Sequence, residues 1–194
     1  MSNSSSLIVV CGHPVSGKTT LANLLAKELN FHLVDIDRVR KLAFGDPHPR
    51  PNESAELMAR DRQEMLHSYR AMLDIAGACA EMNKSVIITA TFSRQSYRDS
   101  LKSLISAYPR VSLAIVQCML SMPTIEEENA EVQRRLSRPF DSAGAVTTLE
   151  RYWEVKNRFE PMNMDQLVIN TAPPQTVRDS ATKVFHFLAH NISN

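Results

Sequence analysis

Glycine is scarce in this chain, and an excess of charge of either sign is missing. Only 5 of 194 residues are Gly and 10 are Pro, which excludes a collagen-like or low-complexity chain. The 22 basic and 21 acidic side chains leave a formal charge of +1. A strongly basic nucleic-acid-binding domain is therefore not expected, although a local basic patch is compatible with that balance. No apolar run approaches the roughly 18 residues of a membrane span, so no membrane association is expected. Met1–Ser6 has neither the basic segment nor the long apolar stretch of a secretory signal. Cys11, Cys79 and Cys118 are odd in number, widely spaced and form no Cys-x-x-Cys. They read as reduced thiols serving as small hydrophobes, which points to a cytoplasmic protein.

What is present is a 43% hydrophobic, 22% charged composition, close to ordinary globular usage. The length suits one domain over 1–194 with room for a small lid. Short apolar segments at 7–11, 32–35, 85–89, 111–118 and 167–169 read as buried strands. Between them lie helical patterns at 18–29, 38–44, about 53–82, 94–107, 125–137 and 148–159, with a last helix after Pro174. In the first, Leu21, Leu24, Leu25 and Leu29 share a face. Thr124-x-x-Glu127 and Thr147-x-x-Glu150 each match a capping box. Residues 45–52, with three prolines, read as a loop. Strands alternating with helices predict an α/β fold, a doubly wound parallel five-stranded sheet, whose ligands sit beyond the carboxyl ends of the strands.

There stands Gly12-His13-Pro14-Val15-Ser16-Gly17-Lys18-Thr19, a complete G-x-x-x-x-G-K-[ST]. Such a loop turns its N–H groups inward around phosphate oxygens, and the helix behind it, from Lys18 through Thr20, presents its positive end to the same anion. Lys18 reaches the β- and γ-phosphates, and the Thr19 hydroxyl is a Mg²⁺ ligand. Gly12 to Thr20 are thus the expected nucleotide-binding residues. A GTPase is not expected, because Asn83-Lys84-Ser85-Val86 carries Val where the guanine reader has Asp; a preference for ATP or GTP as phosphoryl donor is left open. A motor or transporter ATPase is not expected either, because none of the later strands ends in an acidic pair.

The chain resembles the small P-loop kinases of the zeta-toxin, gluconate-kinase and polynucleotide-kinase kind, the AAA-type ATP-binding group. The resemblance rests on Gly12–Thr19, on Asp35-Ile36-Asp37-Arg38-x-Arg40, on Ser85–Phe92, on Arg94 and Arg98, on Arg134-Arg135-Leu-Ser-Arg138 and on Val168–Pro173. It implies a nucleoside-monophosphate-kinase-like P-loop NTPase fold with a small helical lid over 124–145 and an acceptor-covering helical region over 45–82. It implies Asp37 as the base that orients the acceptor, Asp35 near the metal, and Arg135 and Arg138 closing over the transferring phosphoryl group. Arg134 is the third lid arginine, with pairing to the nearby glutamates as its alternative. Arg38 and Arg40 pair with the aspartates, hold an anionic substrate or are basic side chains of a surface helix. Related kinases commonly have Asp where this chain has Thr89. Asn170–Pro173 falls where they rest adenine on backbone.

Arg60, Arg62, His67, Tyr69 and Arg70 read mostly as a solvated face, with a weak hint of an anionic acceptor. His186 and His190 lack a third metal ligand, and Trp153 and Phe159 read as core. The expected function is ATP- and Mg²⁺-dependent phosphoryl transfer to a hydroxyl of a small molecule or nucleotide. The alternative, motivated by Thr89, is a nucleotide-binding or slowly hydrolysing regulatory module.

Overall fold

The computed structural model describes residues 5–45, 55–137 and 146–191. In chain order the elements are β1 Ser6–Gly12, α1 Lys18–Leu29, β2 His32–Asp35, α2 Ile36–Phe44, α3 Ala55–Glu81, β3 Val86–Thr89, α4 Gln95–Ala107, β4 Ser112–Met119, α5 Ile125–Leu136, α6 Leu149–Asn157, β5 Leu167–Asn170 and α7 Val177–Asn191. The expected loop at 45–52 and the lid residues from Arg138 to 145 fall outside the described residues, apart from Gly45.

The five strands form one all-parallel sheet in the order β2-β3-β1-β4-β5. β1 is central and all seven of its residues are buried. Its alternation assigns Leu7, Val9 and Cys11 to a core beneath α3 and α4, and Ile8 and Val10 to a second core beneath α1 and α7. Each such fully buried side chain contributes roughly 1.5–3 kcal/mol. A third cluster, Leu120, Val132, Tyr152 and Ala172, lies under α5 and α6. Chain direction is what makes the site: parallel strands place all five carboxyl ends, with the turns that follow them, on one rim of the sheet.

Local chemistry sets the helix starts. Asp35 caps α2, so that helix begins at Ile36, two residues before the sequence pattern suggests. Thr124 and Glu127 form the predicted capping box at the head of α5. The box predicted for Thr147 and Glu150 does not form. Thr148 is the cap, its hydroxyl accepting the N–H of Arg151, which occupies N3 and has no carboxylate to return. The helix starts there with Leu149, Tyr152 and Trp153 packed together against the third cluster.

Candidate functional site

The loop between β1 and α1 is held at its root by both neighbouring strands. The Gly12 N–H donates to the carbonyl of Thr91 beyond β3, and the His13 N–H to the carbonyl of Cys118 on β4. Gly12 has φ +123°, and a Cβ there would lie 1.9 Å from the Cys118 oxygen, so only glycine fits. Val15 and Gly17 also take positive φ, 58° and 78°. The His13 carbonyl accepts from the Ser16 hydroxyl at 2.7 Å and from Lys18 Nζ at 2.5 Å. Among the described residues the N–H groups of Val15, Ser16 and Gly17 meet no protein acceptor. With the open first turn of α1 they form an anion cradle. Thr20 stands exposed on that turn.

The back of the loop is braced by Thr171, just after β5, and by α5. The Thr171 hydroxyl donates to the carbonyls of Ser16 and Met119. Arg135, on α5, donates to the Val15 carbonyl at 3.1 Å, to Thr171 O at 2.6 Å and to Glu131 at 2.7 Å. Arg135 of α5 therefore reaches the loop. Arg134 instead makes a two-point pair with Glu131, at 2.6 Å each, and is half exposed. Those two arginines hold Glu131 below the usual carboxylate range, the Arg134 hydrogen bonds first. Arg138 lies outside the described residues.

Two carboxylates face the cradle from β2 and α2. Asp35 Oδ1 accepts the N–H groups of Asp37 and Arg38, and its Oδ2 accepts the Thr19 hydroxyl at 3.2 Å. One side chain thus caps a helix and touches the residue expected at the metal. Asp37 is half-buried, and its pKa is raised to about 6, first by burial and then by the charge of Asp35, against the pull of Lys18 and Arg40. Burial also lowers the pKa of Lys18, with Asp37 and Asp35 opposing. These residues fit a hydrated divalent cation that arrives with a nucleotide. Thr19 and Asp35 offer one hydroxyl and one carboxylate, and among the described residues no group of three His, Cys, Asp or Glu would hold a metal unaided.

Arg40 does not face this site as a ready substrate ligand. Its side chain is 9% exposed and paired with Asp61 and with Glu64 of α3, so it ties α2 to α3. Arg38 is exposed. Tyr69 is not on a solvated face: it is buried, its hydroxyl accepts the Phe92 N–H and shares a hydrogen bond with Thr91, and its ring stacks on Tyr97 at 4.0 Å. Arg94 is exposed at the head of α4. Arg98 is 1% exposed and donates to the carbonyls of Phe92, Glu160 and Pro161. It stitches the segment after α6 onto the β3–α4 corner.

That segment brings Phe159 edge-on against His13, ring centroids 5.1 Å apart. Phe159 is thus a neighbour of the phosphate loop rather than simple core, and sequence spacing carries no sign of the pairing. His13 is itself buried, its pKa lowered to about 4 by burial first and then by Lys156 and Lys18.

Next to Thr171 in the chain, a cleft of about 850 Å³ opens between Met122, Pro123, Asn170, Ala172, Pro173 and Gln175. Asn170 secures its floor, exchanging hydrogen bonds with both backbone groups of Ser121 and accepting the Ala172 N–H.

A phosphate loop joining the first strand and first helix of this all-parallel sheet defines a P-loop NTPase of kinase-like fold. The profile of the AAA domain family (AAA_33) matches residues 7–153, and the chain belongs to that family. Among solved structures it is similar to a provisionally assigned kinase from Chloroflexus aurantiacus, at 19% identity and TM-score 0.71, covering 98% of this chain and 100% of that one. It is also similar to a gluconokinase from Sinorhizobium meliloti, at 15% identity and TM-score 0.57, covering 98% and 94%. A third is the Mycobacterium tuberculosis APS kinase in complex with AMPPNP and APS, at 14% identity and TM-score 0.64, covering 95% and 98%. At such identities the likeness is one of fold. No curated protein matches the sequence.

Proposed function

We propose that this protein is an ATP- and Mg²⁺-dependent kinase that transfers the γ-phosphoryl group to a hydroxyl of a small molecule or nucleotide. The observation that carries the reading is the complete phosphate cradle, with its N–H groups unengaged, set beside an acidic pair whose first member already touches Thr19. Gly12 to Thr20 hold the triphosphate, and Lys18 moves from the His13 carbonyl to the phosphate oxygens. Asp37 accepts the proton of the attacking hydroxyl and is ionised above about pH 6. Thr19 and Asp35 would hold the cation, which when bound would offset the negative charge of the phosphates. Arg135 fixes the shape of the loop, and Arg138 closes over the transferring group. The cleft beside Asn170 takes the base, with α3 covering the acceptor.

A kinase reading suits an acceptor that is not a nucleic acid, given the near-neutral charge. Cys11 and Cys118, their thiols pushed up to about 12 chiefly by burial, suit a cytoplasmic setting. No described helix is long and apolar enough to cross a membrane. The test is ADP release from Mg-ATP across sugars, sugar acids, nucleosides, aminoglycosides and RNA 5′ ends, with Lys18→Ala as the blank. Stimulation by one class is the expected result. Tight ATP binding with a flat panel favours the second reading, a slowly hydrolysing regulatory module, for which Thr89 in place of a carboxylate is the motivating observation.

A further inference from the structure

We infer that the side chain of Val15 is a positioning residue for the triphosphate: docked on the cluster under α5 and α6, it holds the phosphate loop in its binding shape. The inference rests on the nucleotide reading proposed above. Val15 is the fourth residue of the loop and has φ 58°. That is the left-handed region, which a β-branched residue enters only at a cost. Glycine enters it freely, as Gly17 does two residues on. The backbone alone therefore gives no reason for valine here. Yet the cradle needs this turn. The dihedrals of Val15 aim the rigid peptide that carries the Ser16 N–H, one of the unengaged donors of the loop.

The second observation is what the side chain touches. Val15 packs against the third apolar cluster, whose buried members are Leu120, Val132, Tyr152 and Ala172. Val132 lies three residues before Arg135 on α5 and shares its face. Arg135 in turn donates to the Val15 carbonyl at 3.1 Å. The residue is thus held by its side chain and by its carbonyl. The apolar contact offsets the left-handed backbone. A glycine would take the turn without strain but would also sample others, and binding would then have to meet that ordering cost. Valine instead ties the turn to a packed body of the molecule, so the cradle is formed before the nucleotide arrives. Affinity for the triphosphate is set in part by packing behind the loop.

The test is a double-mutant cycle on the full chain, read by calorimetry as affinity for Mg-ATP. Val132→Ala trims the docking surface and leaves the Val15 backbone strained. It is expected to weaken Mg-ATP about 5-fold or more, because an unsupported side chain in the left-handed region gives up the turn. In the Val15→Gly background the same Val132→Ala change is expected to cost less than about 2-fold, because no strained turn is left to support. A loss routed through α5 and Arg135 would be equal in both backgrounds, since the carbonyl that Arg135 meets is present in either. Leu149→Ala, at the head of α6 and packed on the same cluster, replaces Val132→Ala in the cycle where the latter does not fold. Equal losses with and without the Val15 side chain overturn the inference. So does an unchanged Mg-ATP affinity in the Val132→Ala and Leu149→Ala proteins. Absence of any Mg-ATP binding by the wild type, matched by Lys18→Ala, overturns the nucleotide reading itself and this inference with it.

Discussion

Asp37 concentrates the chemistry at the scale of one residue. Half-buried beside a second carboxylate, it prefers its neutral form more than a solvated Asp does, and its pKa rises to about 6. That shift has a stability consequence of known sign. A carboxyl whose folded pKa lies above its ordinary value of 3.8 stabilises the fold fully below that ordinary value and loses the contribution as pH rises through about 6. Asp37→Asn is therefore expected to melt higher than the wild type at pH 8 and no higher at pH 4. The same substitution should lower acceptor phosphorylation by roughly 10²- to 10⁴-fold, and the wild-type kcat/KM should fall on the acid side of about pH 6. Melting curves at the two pH values and a rate profile check both halves. Full activity in Asp37→Asn would remove its assignment as the base.

Elements place these residues, and their boundaries have local causes that can be measured. Thr147 and Thr148 are adjacent, and the capping-box spacing to Glu150 favours Thr147 although Thr148 is the cap. The tertiary packing of Leu149, Tyr152 and Trp153 decides for Thr148. Thr148→Ala is expected to cost about 1 kcal/mol through loss of the cap, and Thr147→Ala no more than about 0.5 kcal/mol, as denaturant titration would show. The element scale also explains where the Arg40 side chain goes. Its partners, Asp61 and Glu64, lie more than 20 residues away on α3. Once α2 and α3 pack, two carboxylates claim the guanidinium that a local reading leaves for substrate. Tyr69 is turned inward in the same way, because the Phe92 N–H, at a residue with φ +49°, needs an acceptor.

At the scale of the whole molecule, the sheet order decides which turns meet. β1 lies between β3 and β4, so the phosphate loop is anchored to Thr91 on one side and Cys118 on the other. Helix α5 reaches back to the loop through Arg135, and the segment after α6 touches it through Phe159. Binding at such a junction should stabilise the whole fold. Mg-ATP at 100 times its Kd is expected to add about 2.7 kcal/mol, a rise of roughly 5–10 °C in Tm for a chain of this size. Differential scanning calorimetry with and without nucleotide measures it, and Lys18→Ala should abolish the shift. An unchanged Tm in saturating Mg-ATP argues against nucleotide binding.

The sequence by itself determined the parallel α/β architecture, the phosphate loop and the acidic pair after the second strand. Each of these is written in contiguous residues: an apolar strand, a glycine-bounded turn, a helix start and a cap need only neighbours along the chain. Only the tertiary structure decided that Asp35 serves both the α2 cap and Thr19, that Arg40 and Arg98 brace the fold, that Phe159 adjoins His13, and that the Val15 side chain packs on the third cluster. Those facts depend on which distant segments pack together and which polar groups then compete for one another, a competition that no local spacing records.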